Sequence, residues 1–201
     1  MESERPKRRR IKKSKNDTPP LKAIRDSYAD MGVDAFYRNN GETYQNPHYD
    51  YIKQLLKQNE SRIDYKKILD FCCGSGEVSQ VLHEMGFEKS TGCDPYTQKA
   101  YSLRMRKPCM GYSFEDVIQG KLPPRQQYSS VISSFAMHLC KPKQLYPLTH
   151  QLFGRTKQVV IITPHKRPAL QELDGVKLDF EDFVLTEKGK KVRLMGYSLE
   201  G

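Results

Sequence analysis

The run Ile68-Leu69-Asp70-Phe71-Cys72-Cys73 is apolar except for one acid, and it stops at Gly74-Ser75-Gly76 just before a helix-patterned segment opens at Glu77. Few folds accommodate that junction. A buried strand that turns through glycines straight into a helix is the opening unit of a parallel sheet whose crossover helices cover its faces. Glycine lets backbone approach a ligand where a Cβ would collide. The helix start behind the turn offers free N–H groups and the positive end of a dipole. In open α/β sheets ligands bind beyond the C-terminal strand ends, where strand order reverses. The junction therefore predicts a fold class and the position of a site together.

The chain continues the same alternation. Residues 48–59 carry Tyr51, Ile52, Leu55 and Leu56 at helical spacing. Residues 67–72 read as a strand and 77–85 as a helix, with Val78, Val81, Leu82 and Met85 on one stripe and Gly86 in the stop position. A strand over 91–94, a helix over 96–106 and a weak strand at Cys109-Met110 follow. Residues 129–134 and 157–163 are β-branched or apolar strands, separated by a helix over 142–153. Then the pattern changes: 176–186 and 190–199 are strand-like and joined by Glu187-Lys188-Gly189, an antiparallel hairpin. The expected fold is α/β, a doubly wound, mostly parallel sheet with helices on both faces and a C-terminal antiparallel hairpin, in one domain over residues 21–201.

Charge is distributed unevenly. The net charge is +10, and residues 1–16 hold eight basic side chains against Glu2 and Glu4. Residues 1–20, ending at Pro19-Pro20, read as a disordered basic tail because almost nothing in them is apolar. Such a run suits either a nuclear localisation signal or an RNA-binding arm. No apolar stretch approaches the ~20 residues that a membrane span needs. The N-terminus lacks the apolar centre of a secretory signal, so an intracellular protein is expected, in the nucleus or the cytoplasm. The five cysteines are odd in number and lack zinc-ligand spacing, which reads as reduced thiols and no metal.

A second acid supports the glycine turn. Gly92-Cys93-Asp94 closes the next strand, and a carboxylate there can accept both hydroxyls of an adenosine ribose. Asp94 ahead of Pro95 is equally a helix N-cap, and the two roles are compatible.

These residues resemble the class I, Rossmann-like S-adenosylmethionine (SAM)-dependent methyltransferase superfamily, over roughly residues 48–200. The resemblance implies SAM as cofactor, S-adenosylhomocysteine as product and no metal. It implies that backbone around Cys72, Gly74 and Gly76 faces the methionine part, with Cys72 where many members have glycine. Asp70 would lie near the amino group, and Asp94, beside Pro95, would hold the ribose. After the third strand, Phe114 and Glu115 would lie near the adenine ring and Asp116 at its amine. The alternative for that segment is an acidic helix start.

The loop Ser134-Phe135-Ala136-Met137-His138 would form the floor between SAM and the acceptor. It lacks the Asn/Asp-Pro-Pro-aromatic sequence that members methylating exocyclic base amines carry. His138 is a candidate general base or a packing histidine. Thr163-Pro164-His165-Lys166-Arg167-Pro168 frames three potential cations with prolines; His165 is a second catalytic candidate, and Lys166 and Arg167 suit phosphate or carboxylate. With little sequence left for a substrate-recognition insert, residues 21–47 become a lid-like segment. There Tyr28, Tyr37 and Tyr44, with His48, offer aromatic faces to an acceptor.

The function expected is methyl transfer by direct displacement, with RNA as acceptor. Protein or small-molecule acceptors and a non-catalytic SAM-binding subunit are the alternatives. A nicotinamide oxidoreductase would want glycine or alanine at Ser79 and no acid before the turn.

Overall fold

The structure, a computed structural model, describes residues 48–201. The basic tail, the lid-like segment and its Tyr28, Tyr37 and Tyr44 lie outside the described residues.

Helix α1 (Tyr49–Gln58) leads into β1 (Ile68–Phe71), α2 (Glu77–Glu84), β2 (Ser90–Cys93), α3 (Gln98–Met105), β3 (Cys109–Met110) and α4 (Phe114–Ile118). Then come β4 (Ser130–Ser134), α5 (Pro142–Phe153), β5 (Val159–Thr163), β6 (Val176–Leu185) and β7 (Lys191–Leu199). The strands form one sheet in the order β3-β2-β1-β4-β5-β7-β6. β1 runs parallel to both β2 and β4, and β4 is parallel to β5. β7 runs antiparallel to both β5 and β6, so the sheet is mostly parallel with an antiparallel hairpin at one edge, as the sequence pattern predicts.

Strand alternation splits the core between two faces. Leu69, Phe71, Val131 and Ile161 pack with Val117 of α4 and Leu148, Leu152 and Phe153 of α5. Ile68, Ile132, Val160 and Ile162 pack with Ile52, Leu55 and Leu56 of α1 and Val78, Val81 and Leu82 of α2. Burial on both faces is why β1, β4 and β5 read as continuous apolar runs rather than alternating ones. Burying each of these Leu or Ile side chains stabilises the packing by about 1.5–3 kcal/mol.

One boundary departs from expectation. α3 begins at Gln98, later than the sequence pattern suggests, and Pro95 is not its first residue. Asp94 is the cause. Its Oδ1 accepts the amides of Tyr96 at 2.8 Å and Thr97 at 3.1 Å, which holds 94–97 in a side-chain-closed turn ahead of the helix.

Candidate active site

Strand order reverses between β1 and β4, and the glycine turn leaves β1 at that point. Cys72, Gly74 and Gly76 have φ of 56°, 55° and 96°. The amides of Cys72 and Cys73 both donate to the carbonyl of Cys93, at 2.7 and 3.2 Å. The Gly74 amide reaches Asp94 Oδ2 at 3.4 Å. The turn and the acid closing β2, expected from separate motifs, are thus one connected structure. Burial pushes the Asp94 carboxyl up from its ordinary range, while the Tyr96, Thr97 and Gly74 amides pull it down. Oδ1 is occupied by two backbone amides and Oδ2 by one long bond. Oδ2 is therefore the oxygen with capacity left for a ligand hydroxyl.

Asp70 is fully buried on β1. Its Oδ2 accepts the Ser79 amide at 3.0 Å and the Ser79 hydroxyl at 2.7 Å. Its Oδ1 is buried with no hydrogen-bond partner. Burial pushes its pKa up to about 8, against the pull of both Ser79 bonds. A buried carboxyl oxygen without a partner, beside a glycine turn, is suited to a cationic ammonium group. Ser79 Oγ also lies 3.1 Å from the Tyr101 hydroxyl. In the sequence Ser79 stands only where a nicotinamide-binding turn would have glycine or alanine, and Tyr101 belongs to no motif.

The third-motif residues lie at the start of α4. Asp116 closes a capping box: its carboxylate accepts the Ser113 amide and hydroxyl, and its own amide bonds the Ser113 hydroxyl. Lys121 also pairs with it, and these partners hold its carboxyl well below the usual range. The acidic helix start is therefore realised at Asp116. Phe114 packs its ring 5.9 Å from that of Phe71, and Glu115 is exposed and accepts from Gln144 at 2.8 Å.

Beyond β4 the structure brings several candidates together. Ser134 is buried at the strand end. Phe135 follows with a φ of 55°, unusual for a bulky residue, and its amide donates to Ile162 O at 2.8 Å. That bond fastens the β4 loop to the end of β5. His48 stacks on the Phe135 ring, with centroids 4.7 Å apart and planes 11° apart. His138 and His165 have centroids 4.2 Å apart, so the two loops meet there. Burial and the neighbouring His165 lower the His138 pKa to about 4, and its buried Nδ1 has no hydrogen-bond partner. A neutral imidazole is thus held at the C-terminal edge of β4 against His165, which precedes the exposed Lys166 and Arg167 in the chain. The φ of Phe135 had no sequence signal.

The cysteines are free thiols. Burial pushes Cys72 and Cys73 well above the ordinary thiol range, so neither is poised as a nucleophile. Among the described residues no group of three or more His, Cys, Asp or Glu is placed to hold a metal ion. No described helix is long and apolar enough to cross a membrane.

No family model matches the chain. It is 31% identical over 192 residues to the uncharacterized protein C17A5.05c of Schizosaccharomyces pombe, covering 74% of this chain and 77% of that one. Among solved structures it is similar to magnesium protoporphyrin IX methyltransferase of Synechocystis with bound SAM, with a TM-score of 0.57 and 14% identity. That match covers 88% of this chain and 95% of the other. It is also similar to an rRNA methylase of Escherichia coli, with a TM-score of 0.55 and 13% identity over 74% of this chain and 63% of that one.

Proposed function

The chain belongs to the family of the fission yeast protein and has the class I, Rossmann-like SAM-dependent methyltransferase fold, and from that premise we propose that it is a SAM-dependent methyltransferase acting on RNA. The observation that carries the enzyme reading is the joined pair of motifs, with the glycine turn bonded to Asp94 and Asp70 Oδ1 left without a partner beside it.

SAM supplies, when bound, a methyl group on a positive sulfur that leaves without a covalent enzyme intermediate. The protein's task is to position and to exclude water. Asp70 neutralises the ammonium group, Asp94 Oδ2 takes the ribose hydroxyls, and the turn from Cys72 to Gly76 accommodates the methionine part. Pro95 would lie beside the ribose, Phe114 and Glu115 beside the adenine, and Ser134 under the methyl end. Asp116 serves adenine only by adding that bond to its capping partners. On the acceptor side, His138 is neutral at neutral pH and able to take a proton from an incoming hydroxyl or amine. His165 lies against it. Phe135 and His48 offer ring faces, and Lys166 and Arg167 offer charge to phosphate.

The RNA reading is supported by the exposed cationic loop beside the histidine pair, the basic run of residues 1–16, and the RNA-methylating protein among those of the same fold. The test is incubation with methyl-labelled SAM and fractionated RNA, protein and metabolites. Label in RNA is expected. Label only in protein or metabolites would replace the acceptor, and SAM binding without transfer to any fraction would indicate a non-catalytic subunit. Asp94→Ala is expected to weaken SAM binding by ~1–3 kcal/mol by calorimetry, the scale of a charge-assisted hydrogen bond. Unchanged affinity in a folded variant would remove the ribose role.

A further inference from the structure

Three elements meet behind Asp70. Tyr101 of α3 is fully buried, and its ring occupies a slot that only glycines leave open. A Cβ at Gly92 would lie 2.5 Å from two Tyr101 ring atoms, and one at Gly76 would lie 3.0 Å from a third. The ring is thus clamped between β2 and the head of α2, which fixes where its hydroxyl points. That hydroxyl is 3.1 Å from Ser79 Oγ, which is itself 2.7 Å from Asp70 Oδ2. Ser79 has one hydroxyl proton, and Asp70 Oδ2, which also takes the Ser79 amide, is the accepting oxygen whether or not the unpartnered Oδ1 carries a proton. The proton therefore lies toward Asp70, and Tyr101 donates to Ser79. The chain of donors runs one way, from Tyr101 through Ser79 to the carboxylate.

We infer that Tyr101 is a positioning residue for the cofactor acid: through Ser79 it holds Asp70 Oδ2 and so reserves Oδ1 for the ligand's ammonium group. The inference rests on the SAM reading above. Packing alone would be served by phenylalanine in the same glycine slot. What the hydroxyl adds is a second donor in series, which strengthens the Ser79 bond to a charge in a low-dielectric interior. The groups facing Asp70 leave that work undone, because they are acids or thiols. Glu77 of α2 and Asp94 at the end of β2 oppose its ionisation, and the Cys72, Cys73 and Cys93 thiols lie in the same environment. Arg104 of α3 is bonded to Glu77.

A consequence follows for pH. With its carboxyl pushed up to about 8, Asp70 is protonated in the free protein at neutral pH. Capture of an ammonium ligand releases that proton. Affinity rises with pH below about 8, by up to ~10-fold per unit, until the ligand's own ammonium group begins to lose its proton.

The experiment compares wild type, Tyr101→Phe and Ser79→Ala. Carbon NMR follows the Asp70 carboxyl titration in the free protein, and calorimetry measures SAM affinity across pH, with thermal melts to verify folding. Tyr101→Phe should move the Asp70 midpoint up by ~0.5 pH unit and weaken SAM ~3-fold at neutral pH, and Ser79→Ala should do more, ~10-fold. SAM binding with an Asp70 midpoint and pH profile unmoved in Tyr101→Phe would overturn the inference alone. Absence of SAM binding by the wild type would bring down the methyltransferase reading, and the inference with it.

Discussion

Cys72 holds a left-handed backbone conformation, with a φ of 56°, in a turn whose other left-handed positions are glycines. For a residue with a Cβ that conformation costs about 1–2 kcal/mol. Its thiol stays protonated, so reactivity does not explain the residue. Cys72→Gly should therefore raise stability by roughly 0.5–1 kcal/mol in urea unfolding and leave SAM binding in place, the relief of strain exceeding the entropy that glycine adds to the unfolded chain. His138 carries a different signature. Its pKa is lowered from 6.5 to about 4 in the folded state, so between those values the unfolded chain binds a proton that the folded one excludes. Stability contributed by neutral His138 is thus complete above pH 6.5 and is lost as pH falls toward 4. Urea unfolding should show a smaller loss between neutral and mildly acid pH in His138→Gln than in wild type. As the base, the same variant should lower turnover ~100-fold or more.

At the scale of elements, the proposed acceptor side rests on two loops fastened together by the Phe135 amide and the paired histidines. Lys166 and Arg167 extend from the second loop into solvent and touch no core. Lys166→Ala with Arg167→Ala should reduce methyl transfer while SAM affinity stays within about 0.5 kcal/mol, the usual tolerance for surface changes; a matching loss of SAM affinity would place these cations on the cofactor instead. Much of this organisation is legible in the sequence, because β1 is an apolar run but for Asp70, α2 and α5 carry an apolar stripe at helical spacing, and the hairpin strands flank the Glu187-Lys188-Gly189 turn. The glycine turn and Asp94 are legible for the same reason, since they sit at element ends where spacing has meaning. The start of α3 is not, because the Asp94 side chain takes amides that helical patterning assigns to the helix. Nor is the partnership of Asp70, Ser79 and Tyr101. It joins residues on three elements whose meeting depends on the finished sheet, and Tyr101 reads locally as one more apolar residue of α3.

Across the whole molecule, the site lies at the C-terminal edge of a sheet whose two faces are both closed by helices, so the ligand surface is confined to strand ends and loops. Charge is divided differently. Residues 1–16 account for +6 of the net +10, leaving +4 for the rest of the chain. On the proposed RNA reading, deleting residues 1–16 should flatten the salt dependence of RNA binding. An unchanged salt dependence together with lost nuclear accumulation would make the basic run an address instead of a contact.

The hairpin also sets an order of events during synthesis. β7 follows β6 in the chain yet lies inside it, between β5 and β6. Until residues 191–199 have left the ribosome, β5 presents an open edge of Val159, Val160, Ile161 and Ile162, and β6 has no strand to pair with. An apolar edge exposed on a nascent chain is a template for mispairing. A chaperone that binds short extended apolar segments would find its target in this protein at β5, during the interval between translation of that strand and arrival of β7.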